Sequence, residues 1–168
     1  MSFQPPSRVL VICIGNMCRS PVAEYLLRHY AQKSKKSKIQ QIVFESAGTM
    51  GGYGGMDEYS LRFLKQKGIN ALDFQSRMVH RSIVNVCDLI LTMTSSLKTT
   101  IIEEYFWNIS TNPTQYAANV NVSSFKEAAG QDGDVDDPVG YNWNEYLDVM
   151  LEIDGFAQKI IQNWERLM

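Results

Sequence analysis

Four apolar runs along the chain alternate with segments whose apolar residues recur at helical spacing. The apolar runs, which predict strands, cover residues 9–14, 42–48, 87–93 and 119–125. The segments with helical spacing cover residues 21–31, 57–67, 95–106 and 143–164. Because strands that are separated by helices form right-handed βαβ units, this order predicts a three-layer α/β domain, in which a parallel sheet carries helices on both faces.

Two segments between these elements are predicted to lie outside the core. Residues 48–57 contain five glycines, which is typical of a mobile loop. Residues 33–38, KSKKSK, end the first helix, and we expect them to form a solvated turn rather than a nucleic-acid site. Gly68 follows the helix over residues 57–67 and is a good C-cap. Because parallel sheets bind their ligands at the carboxyl ends of their strands, we expect a binding site at that edge of the sheet.

Length and composition fit one soluble domain over residues 1–168. The chain is 45% hydrophobic and 20% charged with a net charge of −2, which does not favour binding to nucleic acid. No run approaches the ~20 apolar residues of a membrane span, and the first apolar run is too short for a signal peptide, so we expect a cytoplasmic protein. Three cysteines without a CxxC pair predict reduced thiols, and we expect neither a metal nor a cofactor.

The turn after the first strand, CIGNMCR at residues 13–19, concentrates the chemistry of the chain; we call it the Cys13 turn. A loop of this length that leads into a helix can direct several backbone N–H groups at a tetrahedral oxyanion, and the helix dipole adds positive charge. Arg19 adds a planar fork for two phosphate oxygens. Cys13 lies in the same field, which favours its thiolate, so it is the predicted nucleophile. The predicted phosphate-binding residues are Ile14, Gly15, Asn16, Met17, Cys18, Arg19 and Ser20.

A thiolate that attacks phosphorus needs a second group, a carboxylic acid that protonates the leaving oxygen. Asp136 and Asp137 precede Pro138 shortly before the last helix, and a proline holds the residue before it extended. Two other interpretations stay open: these acids are turn residues or helix caps, or residues 132–137, DGDVDD, begin a calcium loop. The calcium pattern is weak, because its sixth position is Asp137 instead of glycine and its twelfth is Trp143 instead of glutamate.

Several motifs taken together resemble the low-molecular-weight protein tyrosine phosphatases, in order and across essentially the whole chain. The motifs are VICIGNMCRSPVAE, ESAGT, GI, SR, DLILTM and DDPVG. The resemblance implies a four-stranded parallel sheet of order 2-1-3-4 and hydrolysis of phosphotyrosine through a cysteinyl-phosphate intermediate. It implies Cys13 as the nucleophile, Arg19 as the phosphate clamp and Asp137 as the general acid. The residues that it implies as support for the loop are Asn16, Ser20 and Ser46.

The resemblance also bears on specificity and on redox chemistry. Met17 stands where phosphoarginine-specific relatives carry a small threonine, and its longer apolar side chain favours a flat phenyl ring. Tyr53 and Tyr141 are the candidate aromatic walls around that ring. Cys18 stands where relatives often carry a second cysteine, which can trap an oxidised nucleophile as a disulfide; the alternative is a small buried side chain. Cys87, at the start of an apolar run, is expected in the core.

The chain departs from the family pattern at several positions outside the Cys13 turn. Val139 and Gly140 follow the Asp-Pro pair, where relatives commonly place an aromatic residue against the substrate. Thr94 replaces a usual aspartate, and Phe74 replaces a common histidine. These departures concern the periphery of the site more than its catalytic residues.

The predicted partner is a phosphotyrosine-containing protein, and we expect no binding to nucleic acid or membrane. We expect a monomer, with weak dimerisation left open. The main alternative function is a phosphoarginine phosphatase. A thiol-coupled arsenate reductase is disfavoured, because that mechanism needs two further cysteines close together and Cys87 is alone. An inactive phosphate-binding module is disfavoured, because binding alone does not require Cys13 together with a distant acid such as Asp137.

Overall fold

The strands form a parallel sheet at the centre of the molecule. The computed structural model describes residues 7–106 and 121–167. Its strands are β1 (Arg8–Cys13), β2 (Val43–Gly48), β3 (Leu89–Thr92) and β4 (Asn121–Ser124). They are hydrogen-bonded in the order β2-β1-β3-β4, and all three pairings are parallel. This confirms the predicted fold class and the strand order that the resemblance implies.

Helices connect the strands and follow the last of them. Those in the described residues are α1 (Arg19–Lys33), α2 (Ser37–Gln40), α3 (Glu58–Gln66), α4 (Arg81–Val84), α5 (Ser95–Ile101), α6 (Phe125–Ala128) and α7 (Trp143–Gln162). None of them is both long enough and apolar enough to cross a membrane. The connections β1–α1–β2 and β3–α5–β4 carry the chain from one parallel strand to its neighbour in the sheet.

β1 is buried on both faces because its apolar residues alternate between the two sides of the sheet. Val9 and Val11 belong to the larger hydrophobic cluster, which includes buried residues of α1, α3 and α7. Leu10 and Ile12 belong to a second cluster, which includes buried residues of α4 and α5. The sheet therefore carries helices on both faces, as predicted.

Several predicted boundaries were wrong by a few residues. α1 begins at Arg19, two residues before Pro21, which is still in the first turn, where a missing N–H breaks no hydrogen bond. α5 ends at Ile101 and a π-helical turn continues to Phe106. α7 ends at Gln162 and is followed by a 3₁₀ turn. Both extra turns keep the chain coiled, so apolar spacing alone overestimates the length of the α-helix.

The short helices α2, α4 and α6 were missed, since four residues are too few to show helical periodicity. α2 takes up the end of the predicted basic turn. α6 has one signal that could have revealed it, a capping box in which Ser124 and Glu127 bond reciprocally. It ends the fourth strand at Ser124, and residues 119–120 of that predicted strand lie outside the described residues. Cys87 is buried as expected, although β3 begins two residues later.

The strand order determines where a ligand can bind. β1 and β3 are neighbours, and their connections run to opposite sides of the sheet, towards β2 and β4. In open parallel sheets the crevice at such a switch point, outside the carboxyl ends of the strands, is the usual binding site. The Cys13 turn begins where β1 ends, at this switch point.

Candidate active site

The Cys13 turn is a tight bend packed directly against the end of β2. Asn16 has a φ of 53°, which places it in the left-handed region that asparagine tolerates better than most residues. A Cβ atom added to Gly48 would lie 2.4 Å from the carbonyl oxygen of Ile14, and one added to Gly51 would lie 3.1 Å from that of Gly15. Two glycines of the predicted loop over residues 48–57 therefore allow close approach to the turn.

The thiol of Cys13 lies at the base of this turn and is almost completely buried. The backbone N–H of Asn16 donates to Cys13 Sγ at 3.2 Å. The hydroxyl of Ser20 lies 2.9 Å from the same sulfur. Two groups that can donate a hydrogen bond therefore converge on one sulfur atom.

The donor direction at Ser20 follows from the amide of Asn16. The backbone N–H of Arg77 donates to Asn16 Oδ1 at 2.9 Å, which identifies the other amide atom as the nitrogen. That nitrogen donates to Ser20 Oγ at 3.0 Å and to Ser46 Oγ at 2.9 Å. Each hydroxyl accepts one hydrogen bond and keeps its own proton to donate. The proton of Ser20 is thus directed at Cys13.

The proton of Ser46 is directed at Glu24, a buried carboxylate that the sequence analysis missed. Ser46 Oγ donates to Glu24 Oε2, and Arg28 forms an ion pair with the other oxygen. Burial raises the pKa of Glu24 above its usual value, against the opposing effects of Arg28 and Ser46. Ser20 and Glu24 lie four residues apart on one face of α1, and this spacing is the sequence signal that could have placed Glu24 near the Cys13 turn.

Arg19 is buried in the first turn of α1 and binds a distant part of the chain. Its Nη1 donates to the carbonyl oxygen of Val135 at 2.9 Å, and its Nη2 forms an ion pair with Asp137 Oδ2 at 3.0 Å. The second oxygen of Asp137 accepts from the backbone N–H of Val139 at 3.2 Å. The fold therefore places Asp137, but not Asp136, against the arginine of the Cys13 turn.

Cys18 is half-buried and forms no disulfide; all three cysteines are free thiols. Burial raises the pKa of Cys18 to about 11, so its thiol is protonated at neutral pH. Ser60 Oγ donates to the carbonyl oxygen of Cys18 at 3.4 Å and lies 2.7 Å from the hydroxyl of Tyr146. The structure thus ties the backbone of Cys18 to α3 and α7. Its pairing with Cys13 stays a prediction.

The predicted substrate-lining residues differ in exposure. Tyr53 is 78% exposed and Tyr141 is 40% exposed. Met17 is half-buried, and its carbonyl oxygen accepts from the backbone N–H of Asp57 at 2.9 Å. Ile14 is 43% exposed, so its side chain is available beside the turn as well. Contact of these residues with a substrate stays a prediction.

The aspartates with calcium-loop spacing do not converge on one point. In the described residues, no group of three or more His, Cys, Asp or Glu side chains is arranged to hold a metal ion. Asp134 instead accepts two hydrogen bonds from Ser95, one from its backbone N–H at 2.7 Å and one from its hydroxyl at 3.0 Å. The local arrangement is that of a loop tethered to a helix.

A known protein family matches almost the whole chain. The model of the low molecular weight phosphotyrosine protein phosphatase family matches residues 8–167. The chain belongs to this family. Its residues 8–167 include every element described above, from β1 to the last 3₁₀ turn.

Individual relatives match over different shares of their length. A low molecular weight protein-tyrosine-phosphatase of Acinetobacter johnsonii is 35% identical over 89 residues. This alignment covers 52% of the chain and 57% of the relative, so the chain matches little more than half of the relative's length. A protein-arginine-phosphatase of Geobacillus stearothermophilus is 29% identical over 136 residues, with 80% of each chain covered.

The fold is also that of solved family members. A low molecular weight protein tyrosine phosphatase from T. tengcongensis superposes with a TM-score of 0.77 at 29% identity. The superposition covers 92% of this chain and 97% of the other. The similarity therefore extends over almost all of both molecules.

Proposed function

We propose that the chain hydrolyses phosphotyrosine in proteins through a covalent cysteinyl-phosphate. The observation that carries this proposal is the meeting of two distant segments. The thiol of Cys13 faces two hydrogen-bond donors, and Arg19, six residues later, binds Asp137 across 118 positions of the chain. A nucleophile, a phosphate-binding guanidinium and a carboxyl group at one sheet edge are the groups that this reaction needs.

In the first step the thiolate of Cys13 attacks the phosphorus atom. The S–P bond forms as the bond between phosphorus and the aryl oxygen breaks. The backbone N–H groups of the Cys13 turn and the guanidinium of Arg19 hold the phosphoryl oxygens, which carry the negative charge. Protonated Asp137 gives its proton to the departing phenolate oxygen.

In the second step water replaces the sulfur. Asp137, now a carboxylate, takes a proton from the water as its oxygen attacks phosphorus, and the S–P bond breaks. The hydroxyl of Ser20 donates to the leaving thiolate and lowers the cost of its release. Inorganic phosphate leaves, and both Cys13 and Asp137 return to their starting forms.

Phosphotyrosine is the proposed substrate because of the side chains around the Cys13 turn. Met17 offers an apolar surface to a phenyl ring, and Tyr53 and Tyr141 are exposed enough to pack against it. Phosphoarginine is the second candidate, since the relative from Geobacillus stearothermophilus, named a protein-arginine-phosphatase, aligns over 80% of both chains. Phosphotyrosine carries the flat ring that these residues would recognise, and phosphoarginine carries none.

The enzyme is further proposed to be a monomer in the cytoplasm, to form one domain over residues 1–168, and to need no cofactor. A reducing compartment suits the mechanism, because Cys13 must stay reduced to attack. Gel filtration with light scattering tests the oligomeric state, and cell fractionation tests the location.

Turnover of three phosphopeptides tests the function. Peptides of one sequence that carry phosphotyrosine, phosphoserine or phosphoarginine are compared by phosphate release under identical conditions. We expect the highest kcat/KM with phosphotyrosine. Preference for phosphoarginine would favour the second candidate, and release from none of the three would contradict both.

A further inference from the structure

The loop that carries Asp137 has no regular structure of its own. Residues 131–142, here called the acid loop, contain no helix or strand. Proton transfer nevertheless needs the carboxyl group within hydrogen-bond reach of the leaving oxygen. Contacts between the acid loop and the rest of the fold must therefore set the position of Asp137.

Asp134, near the start of the acid loop, makes the first of these contacts. Its Oδ1 accepts from both the backbone N–H and the hydroxyl of Ser95, at 2.7 and 3.0 Å. Ser95 is the first residue of α5, three residues after the end of β3. An ionised acceptor with two donors makes stronger hydrogen bonds than a neutral one. Asp134 thus ties the acid loop to the carboxyl end of the sheet.

The next residues carry this tether to the arginine. The backbone N–H of Val135 donates to the carbonyl oxygen of Met93 at 2.9 Å, and the side chain of Val135 is completely buried. The carbonyl oxygen of Val135 then accepts from Arg19 Nη1, and two residues later Asp137 accepts from Arg19 Nη2. Both terminal nitrogens of the guanidinium are therefore oriented by atoms within three residues of Asp134.

We propose that Asp134 is a positioning residue, which sets Val135 and Asp137 against Arg19 by binding the start of α5. This inference rests on the proposed phosphatase function. Asp134 touches neither the nucleophile nor Arg19, so its effect is transmitted through the backbone of the acid loop. Asp136 has no such contact: within the residues that the structure describes, it forms neither a hydrogen bond nor an ion pair and it is exposed. It is the matched control.

The experiment compares Asp134→Ala, Asp134→Asn and Asp136→Ala with the wild type in two measurements. The first is kcat/KM for a series of aryl phosphates whose phenols differ in pKa, because a misplaced acid harms poor leaving groups most. The second is the Kd of inorganic phosphate, measured by calorimetry, which reports on the orientation of Arg19 and does not require turnover. Tm values confirm that each variant is folded.

We expect Asp134→Ala to lower kcat/KM for phenyl phosphate about tenfold or more, since small misplacements of a catalytic group cost up to ~10²-fold. The dependence on leaving-group pKa becomes steeper, and phosphate binds more weakly. Asp134→Asn keeps an acceptor oxygen for Ser95 and restores most of both values. Asp136→Ala behaves like the wild type.

Two results would overturn the proposal. One is an unchanged leaving-group dependence or phosphate Kd in Asp134→Ala. The other is an equal effect of Asp136→Ala. Failure of the wild type to hydrolyse any aryl phosphate would contradict the proposed function instead, and the phosphate Kd would still decide whether Asp134 orients Arg19.

Discussion

The Cys13 turn and the acid loop meet at Arg19, but they are held in place in different ways. In the turn, the side chains of Cys13, Asn16 and Arg19 are buried, and Asn16 bonds to Ser20 of α1 and to Ser46 of β2. The acid loop is mostly exposed and depends on a few tethers to Met93, Ser95 and Arg19. In their shared ion pair, the side chain of Arg19 is 4% exposed and that of Asp137 is 44% exposed.

This difference corresponds to the two tasks that the proposed mechanism assigns to the site. Binding of a phosphoryl group needs donors fixed in advance, which a buried and fully bonded network provides. Delivery of a proton needs a group that reaches solvent and can exchange protons with it. Segments with few buried contacts open at low cost in free energy, so the acid loop is expected to move more readily than the turn. The following predictions test this division of tasks.

The largest effect is expected at the nucleophile. Cys13→Ser should lower turnover of an aryl phosphate about 10⁴-fold or more, because a serine hydroxyl in the same place is a far weaker nucleophile. Phosphate should still bind, since the N–H groups of the turn and Arg19 are unchanged. Steady-state kinetics and calorimetry measure the two properties. Activity close to that of the wild type would remove Cys13 from the mechanism.

The next effect is expected at the acid. Asp137→Ala should lower kcat/KM for phenyl phosphate by about 10²–10⁴-fold, the usual contribution of a general acid. The Kd of phosphate should change much less, because the contacts of Asp134 with Ser95 and of Val135 with Arg19 still hold the acid loop and the guanidinium in place. Asp136→Ala is the control, and equal losses in the two variants would contradict the assignment of Asp137.

A third prediction concerns the packing of the turn. Gly48→Ala places a methyl group against the backbone of Ile14 and Asn16, at 2.4 and 2.9 Å. Overpacking of this kind costs about 1–3 kcal/mol in the free energy of unfolding, and phosphate binding should weaken with it. Urea denaturation measures the stability. Gly55→Ala is the control in the same glycine-rich segment, because its nearest neighbour, the carbonyl oxygen of Phe74, lies at 3.6 Å. Equal stability of the two variants would contradict the close packing.

A smaller effect is expected from the network behind the turn. Ser46→Ala removes one acceptor of Asn16 and the donor to Glu24. The loss of such a buried hydrogen bond costs about 1 kcal/mol in free energy. The same loss in transition-state stabilisation lowers kcat/KM roughly fivefold. Ser46→Thr keeps the hydroxyl and should recover most of the activity. Ser82→Ala, at an exposed position, is the control. No difference between Ser46→Ala and this control would show that the network does not support the turn.

The smallest effect concerns Cys18 and becomes visible only after oxidation. Peroxide followed by a thiol reductant should restore activity in the wild type and not in Cys18→Ser, each relative to its untreated enzyme. Because the pKa of Cys18 is raised to about 11, its thiolate fraction rises with pH up to that value, and formation of the disulfide should be faster at pH 9 than at pH 7. Cys87→Ser is the control. Full recovery in Cys18→Ser would refute the protective role.

The sequence predicted those parts of the site that are local in the chain. Strand, turn and helix follow one another directly from β1 to α1, so the residues of the Cys13 turn could be recognised from their order and spacing. Glu24 was missed because a single carboxylate on a helix looks like a solvated residue until its burial is known. The backbone contributions of Arg77 and Val135 were missed as well, since any residue type carries the N–H or the carbonyl group involved.

By itself, then, the sequence determined the order of the main strands and helices, the fold class and the residues that make up the Cys13 turn, because periodicity and loop residues act over short stretches of chain. The family resemblance implied Asp137 as the general acid, but only the tertiary structure shows which aspartate meets Arg19. Asp136 and Asp137 are neighbours in the chain, and Pro138 follows them both. The tethers of Asp134 to Ser95 and of Val135 to Met93 and Arg19 set the register of the acid loop, and that register places Asp137 on the guanidinium while Asp136 stays exposed.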